Sequence, residues 1–318
     1  MDLTSLYYFS ELAKDLHMTR TANRLYISQQ TLSNHIQRLE EHFGTRLLYR
    51  KPTLSLTFAG EHVLAFAQRV TADHTNLQDI LADVKAEERG VISFGASSMR
   101  MNTCLPYILS EFSSRYPRVE LRLTDALSTQ LEDMVLEGKL DFAMILPDEP
   151  NVSLIDRHLL NDQVYLCVPD PLLKEYFGDR AEEIKTHALA GANVADFAAL
   201  PLCMQDNRLG YKLMDCFEEG GLAPNVYLTS ADTRITTSMC FQGIAACFAT
   251  HMRLINRKAD IPDNINIFPV YYQGQPLSQQ LSLVRRKDRY LPHYARYFLE
   301  LLFHYFDDLE HIHLEHKV

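Results

Sequence analysis

Hydrophobic positions in the first part of the chain recur at intervals of three and four, the period of a helix with one buried face. Leu3, Leu6, Tyr7, Phe9, Leu12, Ala13 and Leu16 mark a first helix, and a short second one is expected from Thr19, read as its cap, toward Leu25. The third runs from Ser28 to Phe43. Leu32, Ile36, Leu39 and Phe43 form its apolar stripe, Ser28 is a good N-cap, and Gly44 supplies a left-handed stop. Arg46 to Arg50 and Leu54 to Thr57 read as two short strands around Lys51-Pro52-Thr53. Thr57 then caps a long helix reaching to about Glu88 and ending at Gly90. Along it Val63, Phe66, Val70, Asp73, Leu77, Ile80 and Val84 alternate by three and four, the seam of a two-helix contact between copies of the chain.

From Gly90 the period changes. Val91 to Ala96, Val119 to Thr124, Phe142 to Leu146, Val164 to Val168, Leu202 to Met204, Val226 to Leu228, Ile265 to Val270 and Leu281 to Val284 are candidate strands. Helical patterns separate many of them, so the body is α/β. Tyr290 to Glu310, with Leu291, Tyr294, Tyr297, Phe298, Leu301, Leu302 and Tyr305 apolar or aromatic, predicts a closing helix. His311 to His316 reads as a loose tail.

The polar face of the third helix changes this picture from packing to recognition. Gln29, Gln30, Ser33, Asn34, Gln37 and Arg38 lie off the apolar stripe. Amide side chains pair in bidentate fashion with an adenine edge, and small hydroxyls let a helix come close. Small Ala22 permits close helix crossing, with Leu25 and Ile27 pointing inward, and helix, tight turn, helix is a minimal reader of the major groove. Candidate DNA contacts are therefore Arg20, Ser28, Gln29, Gln30, Thr31, Ser33, Asn34, Gln37 and Arg38, with Arg50 and Lys51 on a wing against the phosphates.

Charge supports the same division. The chain carries a net charge of -10, from 31 Lys and Arg against 41 Asp and Glu, which argues against a nucleic-acid binder if spread evenly. Between Thr19 and Thr57, however, six basic residues face two acidic ones. A small basic module on an acidic body is implied. At 318 residues with 47% hydrophobic, the chain can fill about two domains. The start, Met1-Asp2-Leu3-Thr4, lacks secretory character and no apolar run has the length of a membrane span, so a cytoplasmic protein without membrane partners is expected. The six cysteines, Cys104, Cys167, Cys203, Cys216, Cys240 and Cys247, show no C-x-x-C pairing and read as reduced, mostly buried thiols.

Residues 1 to 60 resemble the amino-terminal domain of LysR-type transcriptional regulators. That family's S-Q-x-x-L-S-x-x-I-x-x-L-E, G-x-x-L-x-x-R and L-T-x-A-G runs are matched by Ser28 to Glu40, Gly44 to Arg50 and Leu56 to Gly60. Asn34 stands where many members have Arg, and Gln30 where many have Pro, departures that bear on base preference rather than on DNA binding. The resemblance implies a winged helix-turn-helix domain at 1-57, a linker and dimerisation helix at 58-89, and an effector-binding domain at 90-318. That last domain would be two-lobed α/β, resembling type 2 periplasmic binding proteins. Lobe I would take about 90-162 and 268-318 and lobe II about 163-267, with crossovers near Asp162 and Phe268. The implied protein is a homodimer or homotetramer that binds double-stranded DNA and a small-molecule effector and works with RNA polymerase, without cofactor or metal.

Effector chemistry is sought first after the first body strand. Ser97, Ser98 and Arg100 precede a helix expected to start near Asn102 or Thr103, where free amides, hydroxyls and a cation can receive a carboxylate or phosphate. Ser128 and Thr129 open another helix after a strand, and in the second lobe Gln205 to Arg208 follow one short strand and Thr229-Ser230 another. Phe241-Gln242-Gly243-Ile244 resembles the family's turn near the cleft. No G-x-S-x-G elbow or H-E-x-x-H helix is present, so catalysis is not expected. A periplasmic solute receptor would have no use for residues 1 to 89. Cys203 to Gly220 resembles the peroxide-sensing branch of the family, but Asn207 occupies the reactive thiol's place relative to Cys216. A redox regulator using Cys203 and Cys216 is the alternative.

Overall fold

The computed structural model describes residues 2–84, 89–312 and 314. In its first unit, α1 (Leu3–Asp15), α2 (Met18–Arg24) and α3 (Gln29–Phe43) bury Leu6, Phe9, Leu12, Ala22, Leu32, Ile36 and Leu39 in one core. Those are positions that the three-four spacing assigns to buried stripes. The ends follow local chemistry: the Asp2 carboxylate accepts the Ser5 amide at 2.7 Å, and Gly44 ends α3 at φ +65°. The cap of α2 differs from expectation. His17 has the extended backbone a cap requires, and its ring nitrogen accepts the Arg20 amide at 3.2 Å; Thr19 lies inside the helix.

β1 (Leu48–Tyr49) pairs antiparallel with β2 (Ser55–Leu56), a shorter wing than the sequence suggests. Glu40 on α3 holds it, its carboxylate accepting the Leu47 and Leu48 amides at 2.9 and 3.3 Å. α4 (Phe58–Val84) starts where the Thr57 hydroxyl accepts the Gly60 amide at 2.9 Å. A Cβ at Gly60 would sit 2.1 Å from the Leu47 carbonyl oxygen, so the helix can press against the wing only with glycine there. The expected seam of α4 is divided. Val63, Phe66 and Val70 pack partly on the chain's own three-helix core, whereas Leu77 and Leu81 are 53% and 51% exposed. The Val84 side chain, residues 85–88 and most of the histidine tail, His313 and His316 included, lie outside the described residues.

The body begins with β3 (Gly90–Gly95), α5 (Ser98–Arg115), β4 (Val119–Thr124), α6 (Ser128–Leu136) and β5 (Phe142–Ile145). Next come β6 (Leu154–Pro169), α7 (Asp170–Phe177), α8 (Ala181–Ala190), β7 (Ala192–Asn193), β8 (Leu202–Gln205), α9 (Arg208–Glu219), β9 (Val226–Ser230), α10 (Thr233–Phe241) and β10 (Ala246–Thr250). α11 (His251–Asn256), β11 (Ile265–Tyr272), β12 (Gln275–Pro276), β13 (Ser278–Arg286) and α12 (His293–Glu310) complete it. The main strand order is β4-β3-β5-β13-β6-β10-β8-β9, with β11 also beside β6.

β6 makes this one sheet into two lobes. Its first part, Leu154 to Gln163, pairs with β13, and its second part, from Val164, pairs with β10 and β11. Each part has its own core: Ile92, Phe94, Phe142, Phe298 and Phe306 on one side, Leu166, Phe197, Phe217, Phe248 and Phe268 on the other. Asp162 therefore stands at the first crossover. The return crossover is later than Phe268, which is buried in the second lobe; the chain re-enters the first core between Leu277 and Leu281. β10, unforeseen because Ala-Cys-Phe-Ala-Thr is short and lacks alternation, is buried on both faces. α5 starts at Ser98 with Ser97 as its cap, so Asn102 and Thr103 lie within it.

Candidate functional site

α3 presents a continuous polar face. Gln29, Gln30, Thr31, Asn34, Gln37 and Arg38 are exposed, Ser33 is half-buried, and Arg20 is exposed on the neighbouring α2. Ser28 orders the first turn by accepting the Thr31 amide at 3.0 Å, so its hydroxyl serves the helix start. Gln29 and Gln37 also have side-chain partners: Gln29 Oε1 accepts the Thr19 hydroxyl at 3.1 Å, and Gln37 Nε2 donates to Glu41 at 2.8 Å. Arg50 on the wing reaches Glu40 at 3.3 Å, while Lys51 is exposed beside it. The result is an amide-rich helix face flanked by basic side chains, with chemistry suited to base edges and phosphates.

α4 joins this head to lobe I. Tyr290 donates its amide to the Asn76 side-chain oxygen at 2.7 Å, and a Cβ at Gly138 would lie 2.7 Å from that of Ala72. A cavity of about 720 Å³ opens beside the contact, lined by Tyr7 and Lys14 of α1, Gln68 and Thr71 of α4, and Arg286 and Arg289 near the end of β13. This cavity lies between head and body rather than between the lobes.

The interlobe candidates have unequal positions. Ser97, Ser98 and Arg100 occupy the start of α5, as expected, but the Ser98 amide donates to Asp125 Oδ1 at 2.9 Å, so a carboxylate of the chain itself sits there. The Ser128 hydroxyl accepts the Leu146 amide at 3.0 Å, and Thr129 is exposed one residue on. Thr229 is exposed on the edge strand β9. Gln205 must be withdrawn as an available contact. It is buried, donates to the Phe248 carbonyl at 2.8 Å and accepts from Asn207 at 3.2 Å, so both ends of its amide are engaged inside lobe II.

Asp162 and Thr250 were not among the expected site residues, whereas Arg208 closed the expected Gln205 to Arg208 run. At the rim, Arg208 of lobe II donates to the Leu146 carbonyl at 3.2 Å and ion-pairs with Asp148, both in lobe I. At the hinge, Asp162 is buried and its Oδ1 accepts the Met252 amide at 2.9 Å. Burial pushes its carboxyl up to about 6, against the lowering effects of that amide, of the nearby Thr250 hydroxyl and of Arg100. Burial likewise lowers Arg100, outweighing the attraction of Asp162. The sequence signal for Asp162 was slight, a carboxylate in the short polar run Asn161-Asp162-Gln163 between apolar stretches.

Cys203 and Cys216 are both free, buried thiols and lie in different cores. Cys203 packs with Cys167, Cys240 and Cys247, while Cys216 belongs to the core on the other side of the lobe II sheet. Cys247 lies opposite Cys167 and beside Cys203 in the strand register. Burial raises both the Cys203 and Cys216 thiols, opposite to what a reactive thiolate requires. Among the described residues no His, Cys, Asp and Glu group is arranged to hold a metal, and no helix is long and apolar enough to cross a membrane.

A winged helix-turn-helix head on a linker helix, attached to a two-lobed α/β body, defines the class of one-chain DNA-binding regulators. The family profile described as bacterial regulatory helix-turn-helix protein, lysR family, matches residues 3–61, and that described as LysR substrate binding domain matches 85–307. The chain belongs to the LysR family: it is a DNA-binding transcriptional regulator with a substrate-binding domain. It is 24% identical over 314 residues to the uncharacterized regulator YcgK of Bacillus subtilis, covering 95% of this chain and 94% of that one. It is 34% identical over 145 residues to the activator IlvY of Salmonella typhimurium, a match to 45% of this chain and 49% of IlvY. A full-length OxyR from Pseudomonas aeruginosa, in a variant with one cysteine replaced by aspartate, has a similar fold, with a TM-score of 0.70 at 18% identity, covering 96% of this chain and 94% of that one. Full-length CbnR in complex with its target DNA gives a TM-score of 0.60 at 20% identity, covering 96% and 100%.

Proposed function

We propose that this regulator reads DNA with the exposed face of α3 and is controlled by a small acid held between the lobes. The exposed amide row Gln29, Gln30, Asn34 and Gln37 carries the first half of this reading. Gln29, Gln30, Ser33, Asn34 and Arg38 address base edges, with Thr31, Gln37 and Ser28 at the margin, while Arg20, Arg50 and Lys51 address phosphates. Arg50 leaves Glu40 to do so. The second half of α4, with exposed Leu77 and half-buried Ile80, pairs with the same part of a second copy, giving a dimer or a tetramer built from two dimers. Two heads then meet two half-sites of an interrupted inverted repeat, one helical turn or a multiple apart.

Ser97, Ser98, Arg100, Ser128, Thr129 and Thr229 surround the effector, which moves the heads by binding one lobe arrangement more tightly than another. The protein works in the cytoplasm with RNA polymerase and performs no catalysis. Genomic footprinting with the purified protein, with and without added acids, tests this reading. A footprint on paired half-sites that an acid shifts is expected. Binding without sequence preference, or a footprint unmoved by any acid, would overturn its respective half.

A further inference from the structure

Three buried polar groups converge on the hinge with atoms that the chain does not satisfy. Arg100, 7% exposed, enters from the first turn of α5; Asp162, 1% exposed, sits where β6 passes between lobes; Thr250, 7% exposed, ends β10 in lobe II. Arg100 Nε, Asp162 Oδ2 and Thr250 Oγ1 have no hydrogen-bond partner of good geometry, although the Thr250 hydroxyl is near enough to Asp162 to lower its carboxyl. The remaining contacts are sparse: Asp162 Oδ1 accepts the Met252 amide, and Arg100 Nη1 donates to Ser97 Oγ at a long 3.4 Å. The guanidinium and the carboxylate influence one another electrostatically, yet the described contacts between them include no ion pair.

Such groups seldom remain orphaned in a folded protein, because a buried donor or charge without a partner is costly. The chemistry that would complete them is narrow. A bare carboxylate would satisfy Arg100 and repel Asp162, whereas a bare amine would do the reverse. An acid with a donor on the adjoining carbon answers both, and its donor can also meet the Thr250 hydroxyl.

Building on the interlobe reading above, we infer that the effector is a small 2-hydroxy or 2-amino acid, its carboxylate on Arg100 and its adjoining hydroxyl or ammonium on Asp162 and Thr250. The three groups come from lobe I, the hinge and lobe II, so one small molecule would contact every part that moves when the lobes close. Neither charge needs a second protein partner once this ligand is present.

The test is calorimetric titration of the full-length protein with propionate, lactate and alanine, which differ in the group beside the carboxylate. Lactate or alanine is expected to bind at least about tenfold more tightly than propionate, since a site built for a donor rejects an analogue lacking it. Whichever of the two wins separates the hydroxyl from the ammonium form. Asp162→Asn should reduce the preference over propionate to less than about threefold, and Arg100→Gln should weaken all three acids by at least about tenfold. Should either variant fail to fold, the ranking on the unaltered protein decides alone. Propionate binding as well as both others overturns the inference and leaves the interlobe acid site standing. Failure of every acid, in these titrations and in the footprint, overturns both.

Discussion

Arg208, in the first turn of α9, reaches across from lobe II to pair with Asp148 of lobe I, and its other terminal nitrogen donates to the Leu146 carbonyl at 3.2 Å. The clasp closes a loop of contacts, because the Leu146 amide is held by Ser128 at the start of α6. Both charged partners are more than half exposed, so the pair is worth about 0–1 kcal/mol. Its effect should appear in the balance between closed and open lobes rather than in folding. Arg208→Ala is expected to weaken the binding of an interlobe acid by up to about fivefold, read by calorimetry, with the unfolding temperature and ligand-free DNA affinity unchanged. An unaltered affinity would mean that the clasp does not bias closure.

Gln29→Ala with Ser33→Ala should remove base discrimination while leaving salt-sensitive attachment through the wing. A lost bidentate base contact costs about 1–3 kcal/mol, so competition between the cognate site and random duplex should narrow by about tenfold or more. Removing Arg50 and Lys51 should instead weaken both duplexes together and flatten the salt dependence. A gel-shift competition distinguishes the patterns, and retained discrimination in the first variant would move base readout away from this face.

Pairing through α4 is best probed at Leu77 and Leu81, exposed leucines in the second half of the helix, rather than at Phe66, which packs partly on the chain's own core. Charged residues at both positions would have to enter an apolar contact in the oligomer but would rest in water in the free chain. Leu77→Asp with Leu81→Asp is expected to give monomers in sedimentation with an unchanged unfolding temperature. Oligomers of normal affinity would place the interface elsewhere.

Local signals made the head legible. Ser28 and Gly44 bound α3 as their chemistry demands, and Leu32, Ile36 and Leu39 are buried as their spacing requires. Thr19 misled because a ring nitrogen two residues earlier performs the capping. The body was legible in kind but not in register. β6 is long because its two halves serve different neighbours, a tertiary fact absent from the polar run Asn161-Asp162-Gln163. Gln205 looked available because its residue type suits recognition; only the fold reveals that Phe248 and Asn207 already use it. The orphaned atoms of Arg100, Asp162 and Thr250 were least legible, since they come together from three separate elements.

The hinge carboxyl makes stability depend on pH in an unusual direction. Burial raises Asp162 from an ordinary 3.8 to about 6, so the folded chain holds this proton over an interval in which the unfolded chain has released it. Stability falls with rising pH wherever the native state binds more protons, so its contribution should decline between about pH 4 and 6 and then level off. Arg100 opposes the shift, the Tyr165 hydroxyl nearby keeps its proton throughout because burial raises it, and the His251 ring packs against Tyr165. The loss is on the order of 2–3 kcal/mol in the absence of a ligand. Asp162→Asn cannot ionise and should remove this slope, so denaturant titrations of the two proteins should diverge from pH 4 to 6 and run parallel above it. Identical slopes would show that Asp162 ionises at its ordinary value and is reached by solvent.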